Sequence, residues 1–193
     1  MNIEIYKCPN CGANIDLSKE ICDYCGVHYK IKTYQQLNGI DSGFINKIAT
    51  LYSNKDNIVD SNLCAGLCYL KLKQYPLALL KFEKAIEHNT LNDESYYYKA
   101  LAILQGRKPF LLNRTNIENA ENCIKSAIAI KNTAKYFFLW AIIRYDYYYR
   151  KAYNVSPDYK DLFDNAISLN LRAEDVKEIY EILGFEWEKI FNY

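Results

Sequence analysis

The stretch NLCAGLCYLKLKQYPLALLKFEKAIEHN, residues 62–89, contains the clearest helical pattern in the chain. Small and aromatic residues recur in it at spacings that place side chains on one face of a helix. These residues are Gly66, Tyr69, Ala78, Phe82 and Ala85. The pattern therefore predicts two packed helices, with a turn at Gln74, Tyr75 and Pro76 between them.

Two further units follow the first at intervals of about 34 residues. The second has Ala100 and Ile103 on its first helix and Ala120, Ile124 and Ala127 on its second, and the third repeats the second-helix spacing with Tyr159, Phe163 and Ala166. The connection inside the second unit contains an insertion, LQGRKPFLLNRTN, residues 104–116. The helix after this insertion is predicted to begin at Thr115 or Asn116 as its N-cap.

The three units resemble tetratricopeptide (TPR) repeats, and the resemblance covers roughly residues 58–171. It implies an all-α fold, a right-handed solenoid of about three TPR-like helical hairpins that serves as a protein-binding scaffold. A generic array of helical hairpins remains the alternative. Residues 34–57 are predicted to form a connecting half-repeat helix, since Phe44, Ile48 and Leu51 follow second-helix spacing.

The C-terminal segment, residues 172–193, is predicted to form a capping helix and a tail. Val176, Ile179, Tyr180 and Leu183 share one face of an acidic amphipathic helix over residues 172–183. Terminal repeats of helical arrays need such a cap to cover their apolar side. Gly184 is expected to end this helix.

The N-terminal stretch CPNCGANIDLSKEICDYCG, residues 8–26, contains two Cys-x-x-Cys-Gly motifs separated by ten residues. This spacing is typical of a tetrahedral zinc site, because each turn directs two thiolates to one point. Gly12 and Gly26 are expected to take positive φ where the turns close. Apolar residues on either side predict short strands: Ile3, Ile5 and Tyr6 before the motifs, and Val27, Tyr29 and Ile31 after them.

This N-terminal segment resembles the short bacterial CPxCG-type zinc ribbons, and we assign residues 1–33 to such a β module. The resemblance implies one structural Zn(II) per chain, held by Cys8, Cys11, Cys22 and Cys25. Four thiolates complete a tetrahedral shell and leave no position for a reacting water, so a catalytic zinc is not expected. A redox role would require a Cys-x-x-Cys motif at the start of a helix, which the surrounding sequence does not predict.

A partner surface is predicted on the first helices, which line the concave face of TPR-like arrays. The candidate partner-binding residues are Leu63, Leu67, Lys71, Tyr97, Leu101, Gln105, Phe138, Ile142 and Tyr145. The alternative is that these side chains pack against the ribbon or the C-terminal helix. The insertion, with Phe110, Leu111 and Leu112, is either tucked into the protein or exposed to a partner.

The repeat resemblance, together with the absence of common catalytic motifs, implies a non-catalytic adaptor with a protein or peptide partner. The chain of 193 residues has net charge +1, two histidines and none of the common phosphate-binding, metalloprotease or serine-hydrolase motifs, so we expect neither an enzyme nor a small-molecule substrate. The alternative function is RNA or DNA binding through the ribbon and the basic insertion. The absence of a signal peptide or a long apolar run predicts a cytoplasmic protein without membrane association.

Overall fold

The computed structural model describes residues 6–53, 55 and 60–185. It is mostly helical, as predicted, and divides into two compact units, Met1–Ala85 and Ile86–Tyr193. The predicted ribbon, the half-repeat segment and the first hairpin all lie in the first unit. Ile3, Ile5 and most of the predicted C-terminal tail lie outside the described residues.

The cysteine module, residues 6–30, begins the first unit with a two-stranded antiparallel sheet. Strand β1 (Tyr6–Lys7) pairs with β2 (Asn14–Ile15), so that Tyr6 lies opposite Ile15. The strand predicted over Val27, Tyr29 and Ile31 is reduced to one bridge between Ile21 and His28. The ladder stops there because the backbone N–H groups of Tyr29 and Lys30 both donate to the Glu20 carbonyl.

The helices of the first unit are α1 (Ser42–Tyr52), α2 (Ser61–Lys71) and α3 (Tyr75–His88). Asp41 is the N-cap of α1, since its carboxylate accepts hydrogen bonds from the backbone N–H groups of Gly43 and Phe44. The predicted turn falls slightly earlier, at residues 72–74. Tyr75 and Pro76 belong to the first turn of α3, where proline is tolerated because its missing N–H has no helical partner to lose.

Helices α2 and α3 approach closely at Gly66. A Cβ atom at this position would lie 2.5 Å from the Phe82 ring, well inside van der Waals contact. Gly66, Ala78, Phe82 and Ala85 are all buried, as the spacing predicts. The small residue therefore allows the aromatic ring to pack directly against the backbone of α2.

The helices of the second unit are α4 (Asp93–Leu104), α5 (Arg114–Ile130), α6 (Ala134–Ile143), α7 (Tyr159–Ser168) and α8 (Ala173–Leu183). From α4 to α7, each helix packs against the next, and α8 packs against α4 and α6. Gly184 ends α8 with a φ of 75°, as predicted. The N-cap of α5 is Asn113 rather than Thr115 or Asn116, because its side-chain carbonyl accepts the Asn116 N–H.

The chain does not leave α6 as a simple loop. It continues through a π turn (Arg144–Tyr148) and a 3₁₀ turn (Tyr149–Lys151). The insertion contains a second 3₁₀ turn, Pro109–Leu111, which packs against the π turn. The π turn is wider than an α-helical turn, so the side chains that follow it are reoriented relative to α6.

Candidate functional site

The four cysteines of the N-terminal module converge on one point. The Sγ atoms of Cys8 and Cys25 are 3.7 Å apart, as are those of Cys11 and Cys22, and all four lie within 4.8 Å of one another. Ligands on a tetrahedron with bonds of about 2.3 Å lie about 3.8 Å apart. A disulfide requires about 2.05 Å. The four thiols could therefore bind a metal ion.

Two backbone turns of the same design position the thiols. Cys8 N–H donates to the Ala13 carbonyl at 2.8 Å, and the equivalent bond from Cys22 to Val27 measures 3.0 Å. Each turn is closed by its glycine, Gly12 at φ 75° and Gly26 at φ 69°. The left-handed conformation favours glycine at both positions, as the sequence predicts.

Each turn contributes one buried and one exposed thiol. Cys8 and Cys22 are buried, whereas Cys11 and Cys25 are exposed. The Val27 backbone N–H and then the Asn10 side-chain amide stabilise the Cys25 thiolate and lower its pKa to about 6. Because the thiolate is the form that binds metals, this environment favours the ligand state of Cys25. The Ala13 backbone N–H acts to lower the pKa of Cys11, but burial and the neighbouring thiols raise that pKa to about 12.

The chain that leaves the cysteine module covers α2. The backbone N–H of Ile31 lies 3.4 Å from the Cys64 Sγ, and Lys71 Nζ donates to Asn38 Oδ1 at 2.7 Å. Lys71 also lies over the Tyr34 ring, 4.8 Å from its centroid. Leu63 and Leu67, two of the predicted partner-binding residues, are buried, whereas Lys71 remains partly exposed.

A cleft of about 520 Å³ borders the second cysteine turn. Its lining residues are Gly26, Val27, His28, Gln36, Ile40 and Phe44. His28 is the single titratable side chain among them.

In the second unit, helix α8 covers the face of α4 and α6 on which partner-binding residues were predicted. Tyr98 OH donates to Glu178 Oε1 at 3.2 Å, and the rings of Phe138 and Tyr180 are 6.0 Å apart. The remaining predicted partner-binding residues are Tyr97, Leu101, Phe138 and Ile142, which are fully buried, and Gln105 and Tyr145, which are partly exposed. The buried four cannot line an open groove, because the chain's own helix occupies that face.

The insertion is tucked against the segment that follows α6. The Phe110 backbone N–H donates to Asp146 Oδ2 at 2.8 Å, and Asp146 is fully buried. Pro109 and Leu112 are buried too, whereas Leu111 is 70% exposed. The insertion is therefore an ordered turn that presents one large apolar side chain to solvent.

A buried charge lies between α5 and α6, where no sequence motif indicates a site. Glu121 accepts hydrogen bonds from Trp140 Nε1 at 2.8 Å and from Tyr148 OH at 2.9 Å. Its Oε1 also lies 2.7 Å from Arg144 Nε, with side-chain exposures of 4% and 7%. Burial and the Glu121 charge raise the pKa of Tyr148, which keeps the phenol protonated as a donor.

Glu178 of α8 is a further buried carboxyl group. Burial raises its pKa, although Lys135 and the Tyr98 hydroxyl act in the opposite direction. Its Oε2 atom has no hydrogen-bond partner among the residues that the structure describes. Glu178 thus contributes less to the contact between α8 and α4 than a fully paired carboxylate would.

No protein-family model matches the chain, and the comparison with curated proteins finds no match. Among solved structures, the chain entitled "MamA MSR-1 C2" is similar at 16% sequence identity over 71% of this chain and 83% of that chain, with a TM-score of 0.46. In the part of the chain that the structure describes, no helix is long and apolar enough to cross a membrane.

Proposed function

We propose that the chain is a non-catalytic adaptor in which a TPR-like helical array binds a protein partner and the cysteine module binds one structural Zn(II). The observation that carries this proposal is the convergence of four thiols within 4.8 Å in a chain whose other described elements are helical. Four sulfur ligands fill a tetrahedral shell, which supports a structural metal rather than a catalytic one.

Zinc is the metal that this donor set fits best. Thiolates are soft ligands, and a tetrahedral set of four selects zinc or iron–sulfur chemistry over magnesium or calcium. The two Cys-x-x-Cys-Gly turns match the spacing of structural zinc sites. Four unbridged thiols at this separation also support a reducing compartment such as the cytoplasm.

The adaptor proposal is supported by the packing of consecutive helices and by the close approach at Gly66. The segment that follows the cysteine module covers α2, and α8 covers α4 and α6. We therefore expect a partner to contact the side chains that remain accessible. Of the predicted partner-binding residues, these are Lys71, Gln105 and Tyr145. The proposed partner surface is thus smaller than the concave groove that the repeats alone predict.

The experiment that tests this function combines native mass spectrometry with affinity purification. The full chain should retain one zinc ion per molecule, and tagged protein from nuclease-treated extract of the native cell should retain the same protein partner in replicate purifications. A chain that retains no metal and enriches no protein above an untagged control contradicts the proposal.

A further inference from the structure

Two segments that are distant in sequence come together in the second unit. Residues 105–114 belong to the insertion, and residues 144–153 follow α6; the two segments are joined by the hydrogen bond from Phe110 N–H to Asp146. Gln105 and Tyr145, two of the accessible predicted partner residues, belong to these segments. We call the outer side of this junction the basic surface and define it by Arg107, Lys108, Leu111, Arg150 and Lys151.

The basic surface concentrates positive charge in a chain whose net charge is +1. Residues 105–114 contain three cations and no carboxylate, and residues 144–153 contain three cations and one carboxylate. That carboxylate, Asp146, is fully buried and contacts Arg150 at 2.5 Å. Arg144 is buried against Glu121, Arg150 pairs with Asp146, and Arg114 pairs with Glu118 just beyond the first segment. Of the six cations, Arg107, Lys108 and Lys151 therefore contribute most to the potential outside the surface.

Aromatic rings hold two of these cations in place. The Arg150 guanidinium and the Lys151 ammonium lie 4.6 and 4.9 Å from the Phe110 ring centroid. Lys151 also lies 3.8 Å from the centroid of Tyr147. Cation–π contacts of this kind reduce side-chain freedom before a ligand arrives, so that less entropy is lost on binding.

An apolar side chain lies beside the cations. Leu111 is 70% exposed although its neighbours on both sides pack inward, with Phe110 half-buried and Leu112 buried. A large aliphatic side chain on an ordered turn offers contact area to an apolar residue of a partner. The basic surface therefore combines charge with one apolar contact point.

We propose that the basic surface binds an acidic peptide segment of a protein partner, with an aliphatic or aromatic residue of that segment against Leu111. The inference rests on the proposed adaptor function and specifies its partner chemistry. Charge complementarity calls for Asp and Glu, and the exposed leucine calls for an apolar neighbour to them. Cations lie over the rings of Phe110 and Tyr147, and the exposed rings of Tyr149 and Tyr153 pack against other tyrosine rings. A stacked nucleic-acid base would compete with these existing contacts.

The test measures binding of the full, metal-loaded chain to two synthetic peptide arrays and to oligo-dT. In the first array, Asp and Glu flank a single Leu, Ile, Phe or Trp; in the second, Asn and Gln replace the acidic residues. The variants are Lys108→Ser with Lys151→Ser, and Leu111→Ser. Their matched controls are Lys131→Ser with Lys160→Ser, which removes two exposed lysines elsewhere in the same unit, and Leu91→Ser, at a leucine that is 74% exposed.

We expect the acidic array to bind and the neutral array not to bind. Loss of two surface charges should weaken acidic-peptide binding about tenfold, since each exposed pair is worth up to about 1 kcal/mol. Leu111→Ser should also weaken it, whereas both controls should bind like the unchanged chain. Equal binding by the variants and their controls overturns the proposal, and so does absence of acidic-peptide binding.

Binding of oligo-dT distinguishes a nucleic-acid partner from a peptide partner. Surface-dependent binding of oligo-dT without acidic-peptide binding overturns the peptide proposal in favour of nucleic acid. The proposed function is tested separately, with the unchanged chain in cell extract. If the Lys108→Ser, Lys151→Ser variant retains the same partner as the unchanged chain, the basic surface is excluded while the adaptor function stands.

Discussion

The cysteine module and helix α6 bury their side chains in very different proportions. In residues 6–30 the buried side chains are those of Cys8, Leu17, Cys22 and Tyr29, of which two are thiols of the metal cluster. Helix α6 buries every residue except Phe137. One region has too little apolar burial to fold by itself, and the other is packed on all sides.

The difference identifies two sources of stability in one chain. A module of about 25 residues cannot offset its conformational entropy with two large apolar side chains, and the proposed metal would supply the deficit. The helices are stabilised by close packing and by buried ion pairs such as that between Glu121 and Arg144. Perturbations of the metal and of the packing should therefore affect different parts of the molecule.

The largest effect is expected from replacing Cys8 and Cys22 by serine. Metal binding in small structural zinc sites contributes about 10 to 16 kcal/mol, and serine does not replace a thiolate ligand. Native mass spectrometry should show loss of the metal, and hydrogen exchange should show loss of protection in residues 6–30 while α5 to α7 stay protected. Cys123→Ser, outside the cluster, is the control, and retention of metal by the double variant contradicts the prediction.

The second largest effect is expected for Glu121→Gln. The substitution leaves the Arg144 guanidinium buried without its counter-charge, which typically costs about 3 to 5 kcal/mol. Denaturant unfolding should show this loss. Glu118→Gln on the same helix is the matched control, because its pair with Arg114 is exposed and should contribute far less to stability. Equal effects of the two substitutions would show that burial does not determine the strength of these pairs.

Gly66→Ala should produce a smaller loss of stability. Alanine favours a helix over glycine by about 1 kcal/mol, but its Cβ would lie 2.5 Å from Phe82, and overpacking costs about 1 to 3 kcal/mol. We expect a net destabilisation on the order of 1 kcal/mol in thermal or urea unfolding. Adding Phe82→Leu should reduce the penalty of the Gly66 substitution, as a double-mutant cycle measures. Additive effects would argue against the close approach.

The smallest effect is expected from the charge of Glu178. Burial raises the pKa of Glu178 above its ordinary value of 4.5, so the folded protein holds its proton to higher pH than the unfolded chain does. The free energy of unfolding should therefore fall as pH rises from about 4.5 through the folded-state pKa. Glu178→Gln should remove this contribution and slightly stabilise the protein at neutral pH, measured by urea unfolding at several pH values. Unchanged pH dependence in the variant would contradict the assignment.

Local patterns predicted the features whose residues lie close together in sequence. The two cysteine turns, the positive φ of Gly12 and Gly26, and the contact of Gly66 with Phe82 all follow from short spacings. The N-cap of α5 was predicted two to three residues late, since Asn113, Thr115 and Asn116 are all acceptable caps. The hydrogen bond from the Asn116 N–H to the Asn113 side chain decides among them.

Features that depend on distant contacts could not be predicted in the same way. The amphipathic pattern of α8 shows that one face is buried but does not say which helices cover it. Its contacts with Tyr98 and Phe138 bury the groove predicted on α4 and α6. Likewise, nothing in the residues near Glu121 or Phe110 predicts that Arg144 and Asp146 are their partners, because pairing across helices has no local periodicity.

The alternation of buried and exposed thiols has a kinetic consequence for the metal. Cys11 and Cys25 belong to different turns, and their sulfurs are the accessible ones. A chelator or a metal-donating protein would meet these two sulfurs first and exchange them one at a time, while Cys8 and Cys22 still hold the ion. If the cluster holds a metal as proposed, a site closed by four ligands can load and release that metal through one open side, without unfolding of the module as the first step.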